Sequence, residues 1–130
     1  EDRLVVMRAA DTVEKIAINN TQFLKKHKEA IIKLCNVARD KELKWHLALL
    51  IPRLQLDKSE FGKAWNTLTI WAKDRSNSRI VRVNSIQGLS DMKQQEKELE
   101  KDFSLTLSEI EKENIPSINA RIRQLKNVSR

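Results

Sequence analysis

A single cysteine, Cys35, excludes an intrachain disulfide, and nothing else in the sequence points to an oxidising compartment. Two glycines and two prolines in 130 residues supply too little turn chemistry for an all-β fold. No apolar run approaches the roughly 18 to 20 residues that span a bilayer, and residues 1 to 20 lack a secretory pattern, so a cytoplasmic setting with no membrane partner is expected. Catalytic signatures are missing too. There is no Cys-x-x-Cys, His-Glu-x-x-His, glycine-rich phosphate loop or serine-elbow motif, and the two histidines, His27 and His46, stand apart. The expectation is a protein that is not an enzyme and uses no cofactor or metal.

What the chain has in quantity is helix-forming. Ala, Leu, Ile, Lys, Glu, Gln and Arg dominate, and 40% hydrophobic content with a mean hydropathy of -0.55 fits a globular all-α chain with room for one domain, 1–130. The start at Glu1 rather than Met is consistent with a piece of a longer array. Read in steps of 38, the sequence repeats. Phe23, Phe61 and Leu99 share a register, as do Val13, Ile51 and Leu89, then Ile16, Leu54 and Met92, then Leu34, Ala72 and Ile110. A period in the range of about 20 to 50 residues marks stacked-repeat architectures. Asp2, Asp40 and Ser78 are N-cap types at matching offsets, and Pro116 takes the same place in the last copy.

This punctuation predicts seven helices, at about 3–18, 21–38, 41–55, 58–74, 79–92, 95–113 and 117–128, with Pro52 ending or kinking the third early. Odd-numbered members are termed B-type and even-numbered members A-type. The expected core slots are Val5, Leu43 and Val81, then Ala9, Leu47 and Ser85 on B-type helices, and His27, Trp65 and Phe103, then Ala30, Leu68 and Thr106 on A-type helices. The last helix uses Ile118, Ile122 and Leu125 and shows charge elsewhere, as a polar cap would.

The B-type segments carry a short pattern of cap, aliphatic, basic, then small or apolar residues. Asp40, Leu43, Lys44, Leu47 and Ala48 follow it, as do Ser78, Val81, Arg82, Ser85 and Ile86, while Val6 replaces the basic residue in the first copy. This resembles the HEAT repeat of the armadillo-type α-solenoids. The resemblance implies antiparallel helix pairs stacked into a right-handed superhelix. It also implies a scaffold or adaptor whose partner lies along the B-helix surface.

The candidate partner-binding residues follow from register. Trp71 stands where Lys33 and Glu109 place charge, which reads either as an exposed aromatic and a hot spot or as a partly buried edge contact. Trp45 matches Met7 and Val83 and packs between repeats or lines the concave face, whereas Trp65 reads as core. Basic residues recur as Arg3, Lys41 and Arg79, and again as Lys44 and Arg82, with Arg121 and Arg123 on the last helix. With a net charge of +7, these suit an anionic partner, although the basic residue of the HEAT pattern also holds neighbouring repeats together. A protein partner is favoured, with a nucleic-acid-binding solenoid as the alternative. A third reading, similar to the HEAT-like DNA alkylation-repair glycosylases, needs an acidic residue beside aromatics; Asp91 is acidic where Lys15 and Arg53 are basic.

Overall fold

Three of the helices here begin where a side chain accepts a hydrogen bond from one of the first backbone amides, which have no partner inside the helix. The computed structural model describes residues 21–128, with side chains from 27 to 127. Among the described residues it contains six α-helices and no strand: α1 (Thr21–Val37), α2 (Lys41–Leu50), α3 (Lys58–Lys73), α4 (Arg79–Lys93), α5 (Glu100–Glu111) and α6 (Pro116–Val128). Asp40 caps α2 through the amide of Glu42, and Ser78 caps α4 through the amide of Val81. Asp57 caps α3 in a full capping box, with the Glu60 carboxylate returning to the Asp57 amide. The first expected helix, 3–18, with Val5, Ala9, Val13 and Arg3, lies outside the described residues.

Two expected helices are shorter than their hydrophobic pattern suggests. α2 stops at Leu50 and continues as a single 3₁₀ turn, Ile51–Arg53, because Pro52 has no N–H to give the Ala48 carbonyl. Likewise α5 is preceded by a 3₁₀ turn, Lys97–Leu99, and ends at Glu111, after which Asn114 takes a positive φ of 55° to turn the chain.

Packing centres on α4, which meets α2, α3, α5 and α6, while α3 also meets α5 and α5 meets α6. The core is continuous through these contacts. Leu43, Leu47 and Ile51 come from α2 and its 3₁₀ extension, Val81, Ser85 and Leu89 from α4, and Trp65, Leu68 and Ala72 from α3. Phe103, Thr106 and Ile110 of α5 and Ile118, Ile122 and Leu125 of α6 complete it, all buried. The buried Ser85 hydroxyl donates to the Val81 carbonyl at 2.7 Å, so a polar atom sits in the core at no loss of hydrogen bonding.

α1 departs from the expected register. Ala30 is exposed and His27 and Leu34 are half-buried, whereas Ile31 is covered. The helix meets α2 and the Ile51–Arg53 turn with the face that buries an isoleucine instead of an alanine, since the larger side chain removes more apolar area from water.

Candidate functional site

The eight residues singled out by sequence do not form one site. They divide into side chains used inside the fold and side chains left at its surface.

Of the two readings of Trp71, the exposed aromatic is corrected: the residue is buried, 7% exposed. The Lys44 ammonium lies 5.6 Å from its ring centroid, and Asn77 folds back to donate from Nδ2 to the Trp71 carbonyl at 3.1 Å. Lys44 is itself held, donating from Nζ to Asn77 Oδ1 at 3.0 Å. Thus Lys44, Trp71 and Asn77 form one closed contact joining the start of α2, the end of α3 and the connection 74–78. The register hid this because Lys33 and Glu109, the equivalents of Trp71, carry charge.

Arg82 is buried at 2% exposure and serves the interior. Its Nε donates to the Ala72 carbonyl at 2.8 Å, and its two terminal nitrogens grip Glu113 at 3.0 and 2.5 Å. The fork matches both carboxylate oxygens, the geometry that makes arginine pairs strong. Arg82 holds the Glu113 carboxyl below the usual carboxylate range, with a smaller contribution from Arg75, whose Nε lies 3.3 Å away.

The remaining candidates are more open. Lys41 and Arg79 are exposed in the first turns of α2 and α4, and Arg123 is exposed on α6. Arg121 is half-buried and donates to Gln87 Oε1 at 2.8 Å. Trp45 is half-buried and stacks on His46, with ring centroids 5.1 Å apart and planes 10° from parallel. His46 is half-buried as well.

Sequence reading missed a groove of about 600 Å³ between α4 and α6, flanked by the start of α5. Gln87, Ser90 and Asp91 line it from one face of α4, Gln94 from the C-cap of that helix, and Gln124 and Leu125 from α6. Their spacing of three and four along α4 was visible in sequence, but only the approach of α6 makes a groove of that face. Gln87 donates to Asp91 at 3.1 Å while accepting from Arg121, so these three side chains are linked. At the back, Lys93 is buried at 9% exposure, pairs with Glu100 at 2.6 Å and lies 5.2 Å from the Phe103 ring. No lining residue of this groove is aromatic, so Asp91 does not stand among the rings that a glycosylase-like site requires.

A smaller cleft of about 230 Å³ separates α1 from α3, lined among others by Ile32, Cys35, Leu54, Leu56 and Ala64. Burial pushes the Cys35 thiol up to about 12, far from the range of a reactive thiolate. Among the described residues no group of three or more His, Cys, Asp or Glu side chains is placed to hold a metal ion, and no helix is long and apolar enough to cross a membrane. Comparison of the chain with protein-family models, with curated proteins and with solved structures finds no match.

Proposed function

We propose that this chain is a non-enzymatic scaffold of the HEAT type, built on a 38-residue helix pair stacked in a right-handed superhelix, which holds a protein partner on the surface of α2, α4 and α6. Positions 38 apart share burial: Leu43 with Val81, Leu47 with Ser85, Ile51 with Leu89, Trp65 with Phe103, Leu68 with Thr106, and Ala72 with Ile110. The two capped starts, Asp40 and Ser78, are also 38 apart, and so are Lys44 and Arg82, each reaching from a B-type helix to the next connection. Together these support the repeat reading.

The observation that carries the binding role is the α4–α6 groove. Its exposed amide side chains Gln94 and Gln124 each offer donors and an acceptor on the B-helix surface, as a polypeptide partner needs, while Gln87 is tied to Asp91 and Arg121. Dispersed histidines, a thiol raised far above neutrality and a groove free of aromatics favour a binding surface over a reaction centre.

Affinity capture from native lysate, repeated after nuclease treatment, tests this reading against a double variant, Gln94→Arg with Gln124→Arg. The native chain should retain a defined, nuclease-resistant protein that the variant loses. Retention of the same proteins by both, or capture that disappears with nuclease, would defeat the groove as a protein-binding surface.

A further inference from the structure

Three connections between helices lie along one edge of the molecule. Lys44, in the first turn of α2, bonds to Asn77 in the connection 74–78. Arg82, in the first turn of α4, pairs with Glu113 in the connection 112–115. Arg75 of the second connection meets the same Glu113 of the third. Each bond sets a helix start against the next connection, so 38–40, 74–78 and 112–115 follow one another as rungs.

Charge on this edge is sorted. Arg39, Lys41, Arg75, Arg79 and Lys112 are exposed, so every rung or its adjoining helix start presents a positive side chain. The carboxylates have local partners. Glu111 pairs with Lys126 and Glu113 is gripped by Arg82. Asp40 accepts from the Glu42 amide and the exposed Asp74 from the amide and hydroxyl of Ser76, bonds that leave their negative charge in place, so the edge keeps a smaller excess of positive charge. Glu42, the remaining acid, is half-buried. Three of the five exposed bases are arginines, whose planar forks match phosphate oxygens. Neither the α4–α6 groove nor the α1–α3 cleft includes any of the five. The edge presents its charge outside both clefts, as contact with a phosphate backbone allows, whereas a bound peptide needs pockets for its side chains.

The geometry points to a second interaction surface, separate from the groove: the edge formed by Arg39, Lys41, Arg75, Arg79 and Lys112 binds the phosphate backbone of duplex nucleic acid. Lys44, Arg82 and Arg121, which the sequence alone would add, are buried or half-buried in contacts within the fold and take no part, whereas the Arg75 side chain stays 81% exposed beside Glu113. Rungs carried by packed helices recur at about 8 to 10 Å, so bases on successive rungs engage different phosphates.

Fluorescence anisotropy of a labelled short DNA duplex, titrated with the full chain at increasing sodium chloride, tests the proposal. Five phosphate contacts give a log–log salt slope of about -4.5, which is a loss of about 500-fold between 50 and 200 mM salt. The variant Arg39→Gln, Lys41→Gln, Arg75→Gln, Arg79→Gln should bind at least tenfold more weakly at 50 mM salt, with a slope near -1 from the remaining lysine. A control with the same charge change, Lys58→Gln, Lys63→Gln, Lys97→Gln, Lys101→Gln, neutralises exposed bases elsewhere and should bind as the native chain does. If circular dichroism shows the fourfold variant unfolded, the pair Lys41→Gln, Arg79→Gln takes its place, with a slope shallower by about 1.8. Absence of duplex binding at low salt, or equal losses in the edge and control variants, would overturn the proposal. So would displacement of the duplex by polyglutamate at equal charge, because the edge, with exposed Val37 and Ile80 beside it, would then suit an acidic protein segment.

Discussion

At the scale of single residues, Trp71 and Arg82 show how an apparent surface group becomes structural. Trp65 and Trp71 are both buried, at 5% and 7% exposure, and only Trp65 uses its indole N–H on a side chain, donating to Asp102 at 2.7 Å. Removing either ring opens a cavity that neighbouring helices cannot fully close. Trp71→Ala should therefore destabilise by about 3 to 5 kcal/mol, as should Trp65→Ala, with urea midpoints as the measure. A midpoint for Trp71→Ala within about 0.5 kcal/mol of the native value would mean that the ring is not enclosed.

The Arg82–Glu113 pair is mostly buried, with side-chain exposures of 3% and 10%. Glu113→Gln leaves a buried guanidinium without its counter-charge and should cost about 3 to 5 kcal/mol, while Arg82→Met with Glu113→Leu should cost less, since no charge is stranded. The pair also sets an acid dependence. Because the folded carboxyl titrates below its unfolded value, its contribution is fully present above the ordinary carboxylate pKa of about 4.3 and is lost as pH falls through the lower folded value. Stability measured from pH 5 downward should fall less steeply in Glu113→Gln than in the native chain. Parallel slopes would show that Glu113 is not the responsible group.

At the scale of elements, α4 is held by a close approach that only glycine allows. A Cβ at Gly88 would lie 2.9 Å from the Ala48 carbonyl oxygen, 3.1 Å from Leu68 Cδ1 and 3.3 Å from Pro52 Cγ. The same Pro52 that ends α2 leaves the Ala48 carbonyl without its helical donor, and that carbonyl is the atom against which Gly88 packs. Alanine normally favours a helix by about 1 kcal/mol over glycine. At Gly88 the clash should outweigh that gain, so Gly88→Ala should destabilise by about 1 to 3 kcal/mol. Gly62, in α3, has nothing within 4 Å of its Cβ position, and Gly62→Ala should stabilise by about 0.4 to 1 kcal/mol. Thermal midpoints that move in the same direction for both variants would contradict the α2–α4 contact.

At the scale of the whole molecule, the basic residues separate into an inner and an outer set. Charge reversal of Lys44 and Arg82 to Glu would set a negative charge at residue 82 against Glu113 and lift the Lys44 ammonium from Trp71, so the unfolding midpoint should drop clearly. The same reversal at Lys41 and Arg79, both exposed, should leave the midpoint within about 0.5 kcal/mol. Chemical denaturation of the two double variants side by side measures this. Equal loss from both pairs would erase the distinction between clasp and surface.

The all-helical class and most helix starts were legible because they depend on local chemistry. Asp40 and Ser78 accept from amides two and three residues away, and Pro52 stops a helix by lacking its own N–H. The buried face of α4 was legible for a related reason, since Val81, Ser85 and Leu89 recur at helical spacing. Ala30 and Ile31 were not, because the face α1 turns inward depends on what α2 and the 3₁₀ turn present to it. The charges at equivalent positions left Trp71 open between exposure and a partly buried contact, and its burial depends on Lys44, 27 residues earlier, and on Asn77 beyond the helix end. The α4–α6 groove was likewise invisible, since it is made by side chains from different elements, and of the edge only Lys41 and Arg79 were legible, from their shared register. Local hydrogen bonding and hydrophobic spacing are written within a few residues of chain, and the sequence by itself determined what rests on them. Enclosure and charge pairing depend on which helices meet, and only the tertiary structure decided those.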